Sequence, residues 1–125
     1  MLTDRGLGPA VAALAARLPL PVSVVRTPER RLARPEEASV YFFVSEALTN
    51  VVKHARAAHA WVDIGLDDGS LVVEVRDDGV GGAPATADGS GLEALADRIA
   101  ALDGDLTVSS APVSGTTLHA EIPLR

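Results

Sequence analysis

Two apolar-rich runs, Ala60–Leu66 and Ser70–Arg76, stand on either side of Asp67-Asp68-Gly69. No other feature narrows the fold as much. An Asp-Gly pair accepts the positive φ angles of a tight turn, so the two runs predict neighbouring antiparallel strands. Nearer the carboxyl end, Leu106–Ser110 and Thr116–Ile122 predict a second hairpin through a turn at Pro112–Gly115. In the last run Thr116, Leu118, Ala120 and Ile122 fall on one face, and Thr117, His119 and Glu121 on the other. Val22–Arg26 reads as one more short strand.

Helical patterns lie between the strands. Gly8-Pro9 opens an apolar stretch, Ala10–Leu18, which Pro19 and Pro21 stop. Thr27–Arg34 is polar, rich in arginine, and reads as a loop. Pro35-Glu36-Glu37 suits the first turn of a helix, with proline where no N–H is needed and acids at the positive end of the dipole. The pattern predicts a long helix from there to about Ala57. Asp77–Ser90 is a long loop of glycine, alanine and aspartate. Gly91–Leu102 predicts a third helix, with Leu92, Leu95, Ile99 and Leu102 on one face and Gly104 as its stop. The expected class is an α+β two-layer sandwich: a mixed, mainly antiparallel sheet covered on one face by about three helices.

A chain of 125 residues, 47% of them hydrophobic and 22% charged, suits one globular domain. It has no cysteine, which excludes disulfides and thiolate chemistry. The formal net charge of -6 leaves no excess of basic groups to neutralise phosphates, so a nucleic-acid partner is not expected. A single loop or helix end can still hold a small anion in an acidic protein. No stretch approaches the ~20 apolar residues that span a bilayer, and no signal-peptide pattern opens the chain. No membrane contact is expected of this domain, and a cytoplasmic location is, even where a parent protein is membrane-anchored.

The long helix carries a column of chemistry. Glu46, Asn50, Lys53 and His54 gather on one side, with Val44, Leu48, Val51, Val52 and Ala55 expected opposite. Such a column is also what a solvated helix face looks like. Asparagine in mid-helix, however, is a poor helix former, and its amide oxygen is a hard ligand of the kind magnesium accepts. After the strand Ser70–Arg76 comes Asp77-Asp78-Gly79-Val80-Gly81-Gly82. Glycines there let a backbone approach a flat ligand, and an aspartate at a strand end accepts from an exocyclic amine. Gly89-Ser90-Gly91-Leu92 opens the next helix, where free N–H groups suit a phosphate. Each element alone has a plain structural explanation. Their order and separation make the set specific.

Together they resemble the ATPase superfamily of histidine kinases, DNA gyrase, mismatch-repair ATPases and heat-shock chaperones. Glu46-x-x-x-Asn50-x-x-Lys53-His54-Ala55 is similar to its N-box, Asp77-x-Gly79-x-Gly81 to its first glycine box and Gly89-x-Gly91-Leu92 to its second. Gly115-Thr116 is similar to its closing motif. The resemblance covers nearly the whole chain. The N-box ending, with Gly91-Leu92, Arg98 and Gly104, resembles the sensor-kinase branch of nitrate-response and membrane-fluidity sensors.

The resemblance implies a Bergerat-type ATP-binding fold, ATP as ligand and Mg²⁺ as cofactor. Asn50 would ligate Mg²⁺, and Glu46 would orient or deprotonate the attacking group. Lys53 and His54 would lie near the phosphates. Asp77 would bind the adenine amine, with Gly81 leaving room for the ring and Gly79 among the nucleotide-binding residues. Gly89 and Gly91 would form a mobile lid over the triphosphate, Leu92 would be among the nucleotide-binding residues, and Thr116 would support adenine. Two departures bear on the lid: Gly82–Asp88 is short and lacks phenylalanine, and Ala94 stands where many relatives have glycine. Arg98 is expected in an ion pair or beside the phosphates, the ion pair being the preferred reading.

Kinases of this type phosphorylate a histidine on a separate dimerization domain and serve a response regulator. His54 belongs to the N-box, and His59 and His119 read as surface residues, so the acceptor is expected elsewhere. Residues 1–20 are expected to be the tail of that preceding domain with its linker, and residues 21–125 the catalytic domain, monomeric when isolated. A serine kinase acting on an anti-sigma antagonist and a non-catalytic nucleotide-binding scaffold are the competing readings.

Overall fold

The computed structural model describes residues 6–28, 32–55, 57–79, 92–111 and 115–124. The first hairpin forms as predicted. Strands β2 (Ala60–Asp67) and β3 (Ser70–Asp77) pair antiparallel along their whole length. Asp68 (φ 52) and Gly69 (φ 79) supply the two positive angles of the turn. β4 (Asp105–Ala111) pairs antiparallel with β5 (Gly115–Pro123), and β5 with β3. β1 (Val22–Arg26) lies parallel to β2. The sheet has five strands in the order β1-β2-β3-β5-β4.

A parallel pair needs a long crossover. Helix α2 (Arg34–Asn50) and a π-helical turn at Val51–Ala55 provide it. Pro35 sits in the first turn of α2 and Glu36 and Glu37 follow it, as the sequence predicts. Glu37 is buried, and its carboxylate accepts from the Leu32 N–H at 3.1 Å. Helix α1 (Leu7–Ala16) begins earlier than predicted and tolerates Pro9 in its first turn, where N–H groups have no helical partner. Its Leu7, Val11 and Leu14 join the common core.

Helix α3 (Leu92–Ala100) ends differently from the prediction. The left-handed residue after it is Asp103 (φ 62), not Gly104. Gly104 takes part in the stop through its N–H, which donates to the Ile99 carbonyl at 3.0 Å, and it also serves packing: a Cβ there would meet the Glu121 carbonyl oxygen at 2.6 Å. Aspartate tolerates the left-handed region, so glycine is free for the close approach.

Parity along the strands sorts the sheet into two faces. Val62, Ile64, Leu71, Val73, Val75, Leu118, Ala120 and Ile122 are buried against the helices. Register aligns them in rungs, Val62–Val75–Leu118 and Ile64–Val73–Ala120. The opposite face carries Asp63, Glu74 and His119 in one rung and Trp61, Arg76 and Thr117 in the next. The expected two-layer α+β architecture, with helices on one face, is what the chain adopts.

Candidate functional site

The inner apolar rungs end in a different kind of rung. Ala60, Asp77, Thr116 and Ser110 align across four strands. Asp77 has the parity of Leu71, Val73 and Val75, so its carboxylate faces the core side and is only 5% exposed. The Gly79 N–H donates to its Oδ1 at 2.7 Å, and the Thr116 N–H donates to it as well. Burial raises its pKa above the ordinary aspartate value, and these N–H bonds only partly offset that. A carboxylate offers about four acceptor positions, so two N–H donors leave capacity for a ligand's amine.

Gly115 makes this rung possible. Its φ is 79, and a Cβ there would stand 1.9 Å from the Asp77 carbonyl oxygen. Only glycine lets β5 begin this close to the end of β3. The sequence-predicted Asp77, Gly79 and Thr116 therefore come together at one end of the sheet. Gly81, Gly89 and Gly91 lie outside the described residues, as does the lid expected from them. Leu92 opens α3, and its side chain lies outside the described set.

The predicted column on α2 is half right in its geometry. Val40, Phe43, Val44, Ala47, Leu48 and Val51 form the buried side. Asn50 lies half-buried at the rim of that side, and Glu46, farther round the helix, is half-buried as well. Val52, expected in the core, is 40% exposed. Successive helical residues point about 100° apart, so a core centred on Val44, Ala47 and Val51 leaves Val52 at the other rim. Lys53 is exposed in the π-helical turn, a local form that recurs at functional sites. The side chains of His54 and Ala55 lie outside the described set.

The connection that follows the π-helical turn is bonded to the first glycine box. Asp78 Oδ1 accepts from the N–H groups of Ala58 and His59, each at 2.9 Å. The Asp78 N–H donates back to the His59 carbonyl at 3.2 Å. These bonds hold the Asp78 carboxyl below its usual pKa. The exit of the α2 crossover is thereby fixed against the end of β3, beside Asp77. Sequence reasoning assigned Asp78 nothing; the pair of adjacent aspartates was its only signal.

Arg98 was expected in an ion pair or beside phosphate. Its guanidinium lies 4.1 Å over the Phe42 ring, a cation–π contact that joins α3 to α2 one turn before Glu46. On the open face, His59 Nε2 and Ser23 Oγ are 2.8 Å apart, and the His59 ring stacks on Trp61. His119 Nδ1 pairs with Glu74 Oε2 at 3.1 Å. Both histidines are partly buried and engaged with neighbouring side chains, in keeping with a structural role. Among the described residues no helix is long and apolar enough to cross a membrane.

Comparison with known proteins agrees with this arrangement. Residues 36–125 match the family model described as histidine kinase-, DNA gyrase B-, and HSP90-like ATPase. The sensor histidine kinase NarS of Mycobacterium tuberculosis is 37% identical over 135 aligned positions, covering 100% of this chain and 31% of that protein. The sensor histidine kinase YxjM of Bacillus subtilis is 36% identical over 86 residues, 69% of this chain and 21% of its own length. The chain thus spans a minor part of these curated relatives. Among solved structures, the histidine kinase domain of the Erythrobacter litoralis EL346 blue-light activated histidine kinase superposes with a TM-score of 0.75 at 27% identity. That match covers 94% of this chain and 63% of the other. The ATP binding domain of PrrB from Mycobacterium tuberculosis shares the fold, with a TM-score of 0.72 at 22% identity over 95% of this chain and 91% of its own.

Proposed function

The chain belongs to the family of histidine kinase-, DNA gyrase B-, and HSP90-like ATPases, and from that premise we propose that it is the catalytic domain of a sensor histidine kinase, holding ATP for transfer to a histidine on a separate domain. One observation carries the reading of the site. Asp77 is a buried carboxylate at the end of an otherwise aliphatic face, held by main-chain N–H groups with acceptor capacity to spare. Burying a carboxylate without a partner cation is costly, and binding an exocyclic amine gives it a use.

In this reading adenine meets Asp77, with Gly79, Gly81 and Thr116 around the ring. The phosphates extend toward the N-box, where Lys53 and His54 supply positive or donor groups. Gly89, Gly91 and Leu92 close over them. Glu46 orients or deprotonates the attacking imidazole. The bond from the γ-phosphorus to the β–γ bridging oxygen breaks as the bond to the imidazole nitrogen forms, and ADP leaves. Such transfer depends mainly on positioning and charge neutralisation.

Mg²⁺ fits the donor set. Asn50 offers a half-buried amide oxygen beside the phosphate end. Among the described residues no cluster of three or more acidic, histidine or cysteine side chains could hold a metal alone. Magnesium suits such a site because it takes one or two protein oxygens and completes its shell with phosphates and water. When bound it would neutralise phosphate charge. The domain is proposed to act in the cytoplasm, as a monomer when isolated. Residues 1–20 are proposed to join it to the preceding dimerization domain, with α1 docked on the shared core. A response regulator would then receive the phosphoryl group from that domain's histidine.

The test is transfer in trans. Radiolabelled ATP incubated with this chain alone should leave no acid-labile phosphate on it. Addition of a matching dimerization domain should give slow labelling of that domain, lost in Glu46→Gln and Asn50→Ala. Stoichiometric label on His59 or His119 would overturn the assignment.

A further inference from the structure

Asp78 is exposed and lies outside the residues assigned to the nucleotide, yet its carboxylate is bonded to the main chain of another segment. Its carboxylate gathers two successive N–H groups, Ala58 and His59, at 2.9 Å each. Its own N–H donates to the His59 carbonyl at 3.2 Å. The bonded segment is the short connection leaving the π-helical turn Val51–Ala55. The bonding residue stands between Asp77 and Gly79. On the nucleotide reading given above, on which this inference rests, the bonding residue flanks the adenine end at Asp77, and the bonded connection follows the π-helical turn that carries Lys53 and His54 toward the phosphates.

We propose that Asp78 is a positioning residue that fixes the distance between the adenine end and the phosphate end of the site. With a solvated turn aspartate, only the main-chain bond from Asp78 to His59 and the Ala60–Asp77 pair would tie the connection to β3, and the Ala58 and His59 N–H groups would lose this acceptor. With the carboxylate in place, the exit of the α2 crossover and the start of the glycine box move as one piece. Hydrogen bonds to an ionised acceptor are the strong ones, which suits a carboxylate here. Asparagine retains an acceptor oxygen in the same place; alanine has none. His59 gives a built-in reporter, because its ring stacks at 4.5 Å on Trp61, the chain's one tryptophan.

The experiment compares Asp78→Ala and Asp78→Asn with the unmodified chain. Calorimetry measures ATP with Mg²⁺ and, separately, adenosine, which reaches only the Asp77 end. Asp78→Ala should weaken ATP roughly tenfold, the scale of one lost hydrogen bond to a charged group, and adenosine by less than about twofold. Asp78→Asn should restore most of the ATP affinity. In the nucleotide-free protein, Asp78→Ala should change Trp61 emission and speed amide exchange at Ala58 and His59, and Asp78→Asn should not. Equal losses for ATP and adenosine would overturn the proposal, since Asp78 would then only support Asp77. No change in ATP affinity, or a failure of asparagine to rescue, would also overturn it. If the unmodified chain binds neither ligand, the proposed function fails, whereas the link from Asp78 to Ala58 and His59 is still judged by emission and exchange.

Discussion

Asp77 and Glu74 lie on the same strand and face opposite ways. Glu74 stands on the open face, its side chain 39% exposed, paired with His119 at 3.1 Å. Asp77 stands on the helix-covered face, 5% exposed, and is satisfied by main-chain N–H groups. An acid on the open face costs little and contributes little, because water screens it. An acid on the covered face must be desolvated, and its raised pKa records that cost. The two residues thus separate a carboxylate that dresses a surface from the buried one proposed to meet the nucleotide. The same division runs through the sheet. Inner rungs are aliphatic until the last, and every outer rung carries a charged or polar residue, with Arg26 clasping Asp63 and Asp67.

The division predicts unequal responses to truncation, and the largest comes from the inner rungs. Ile64 is fully buried on β2, so Ile64→Ala should cost about 2–5 kcal/mol of folding stability. Glu74→Ala, facing outward on the neighbouring strand, should change it by no more than about 0.5 kcal/mol. Denaturant midpoints of the two variants measure the contrast directly. Comparable shifts would mean that the outer face is covered in the working protein.

Asp77→Asn should separate function from stability. ATP affinity should fall by about 1–3 kcal/mol, the range for a hydrogen bond with a charged partner. Stability at pH 7 should hold or rise. The unfolded aspartate ionises near about 3.9, and the folded one ionises at higher pH, so the charge burdens only the native state as pH increases. Asp77 therefore favours folding below its unfolded pKa, and that advantage is lost as pH rises through the folded value. The melting temperature of Asp77→Asn should match the unmodified chain near about pH 4 and gain on it toward neutrality. A variant that is less stable at pH 7, with no dependence on pH, would show that the carboxylate is a structural staple and not a binding group.

How much of this was legible in advance follows the same line. The hairpins, the helix-covered layer and the parity of β5 followed from apolar alternation and turn residues, which act locally. Asp77 and Asn50 were visible because a carboxylate after an aliphatic strand and an asparagine in mid-helix both break local rules. What was missed depends on contacts between distant segments. Val52 reads as core from periodicity, but only the packing of α2 shows which arc is buried. Gly104 reads as a helix stop, but it is glycine because β5 passes beside it. Asp78 reads as half of a common turn; its partners at Ala58 and His59 belong to another strand connection.

The smallest effect tests how permissive the open face is. Gly65 lies in the middle of β2 with outward parity, and the Arg26 guanidinium covers it. A Cβ there would stand 2.0 Å from the guanidinium carbon, so Gly65→Ala must push Arg26 aside. The displaced group is the far end of a flexible side chain, and its pairs with Asp63 and Asp67 are exposed. Against that loss, alanine restricts the unfolded chain more than glycine and should gain roughly 0.5–1 kcal/mol inside a strand. The two effects oppose each other, and salt decides between them. At low ionic strength the lost pairs should offset the gain and leave stability nearly unchanged. At high salt the unmodified chain has already lost most of their benefit to screening, so the variant should become the more stable of the two. A loss above about 1 kcal/mol at both ionic strengths would mean that the guanidinium over Gly65 is packing and not a solvated clasp. The outer face would then be a second core, and the contrast between Asp77 and Glu74 would no longer be one of buried against exposed.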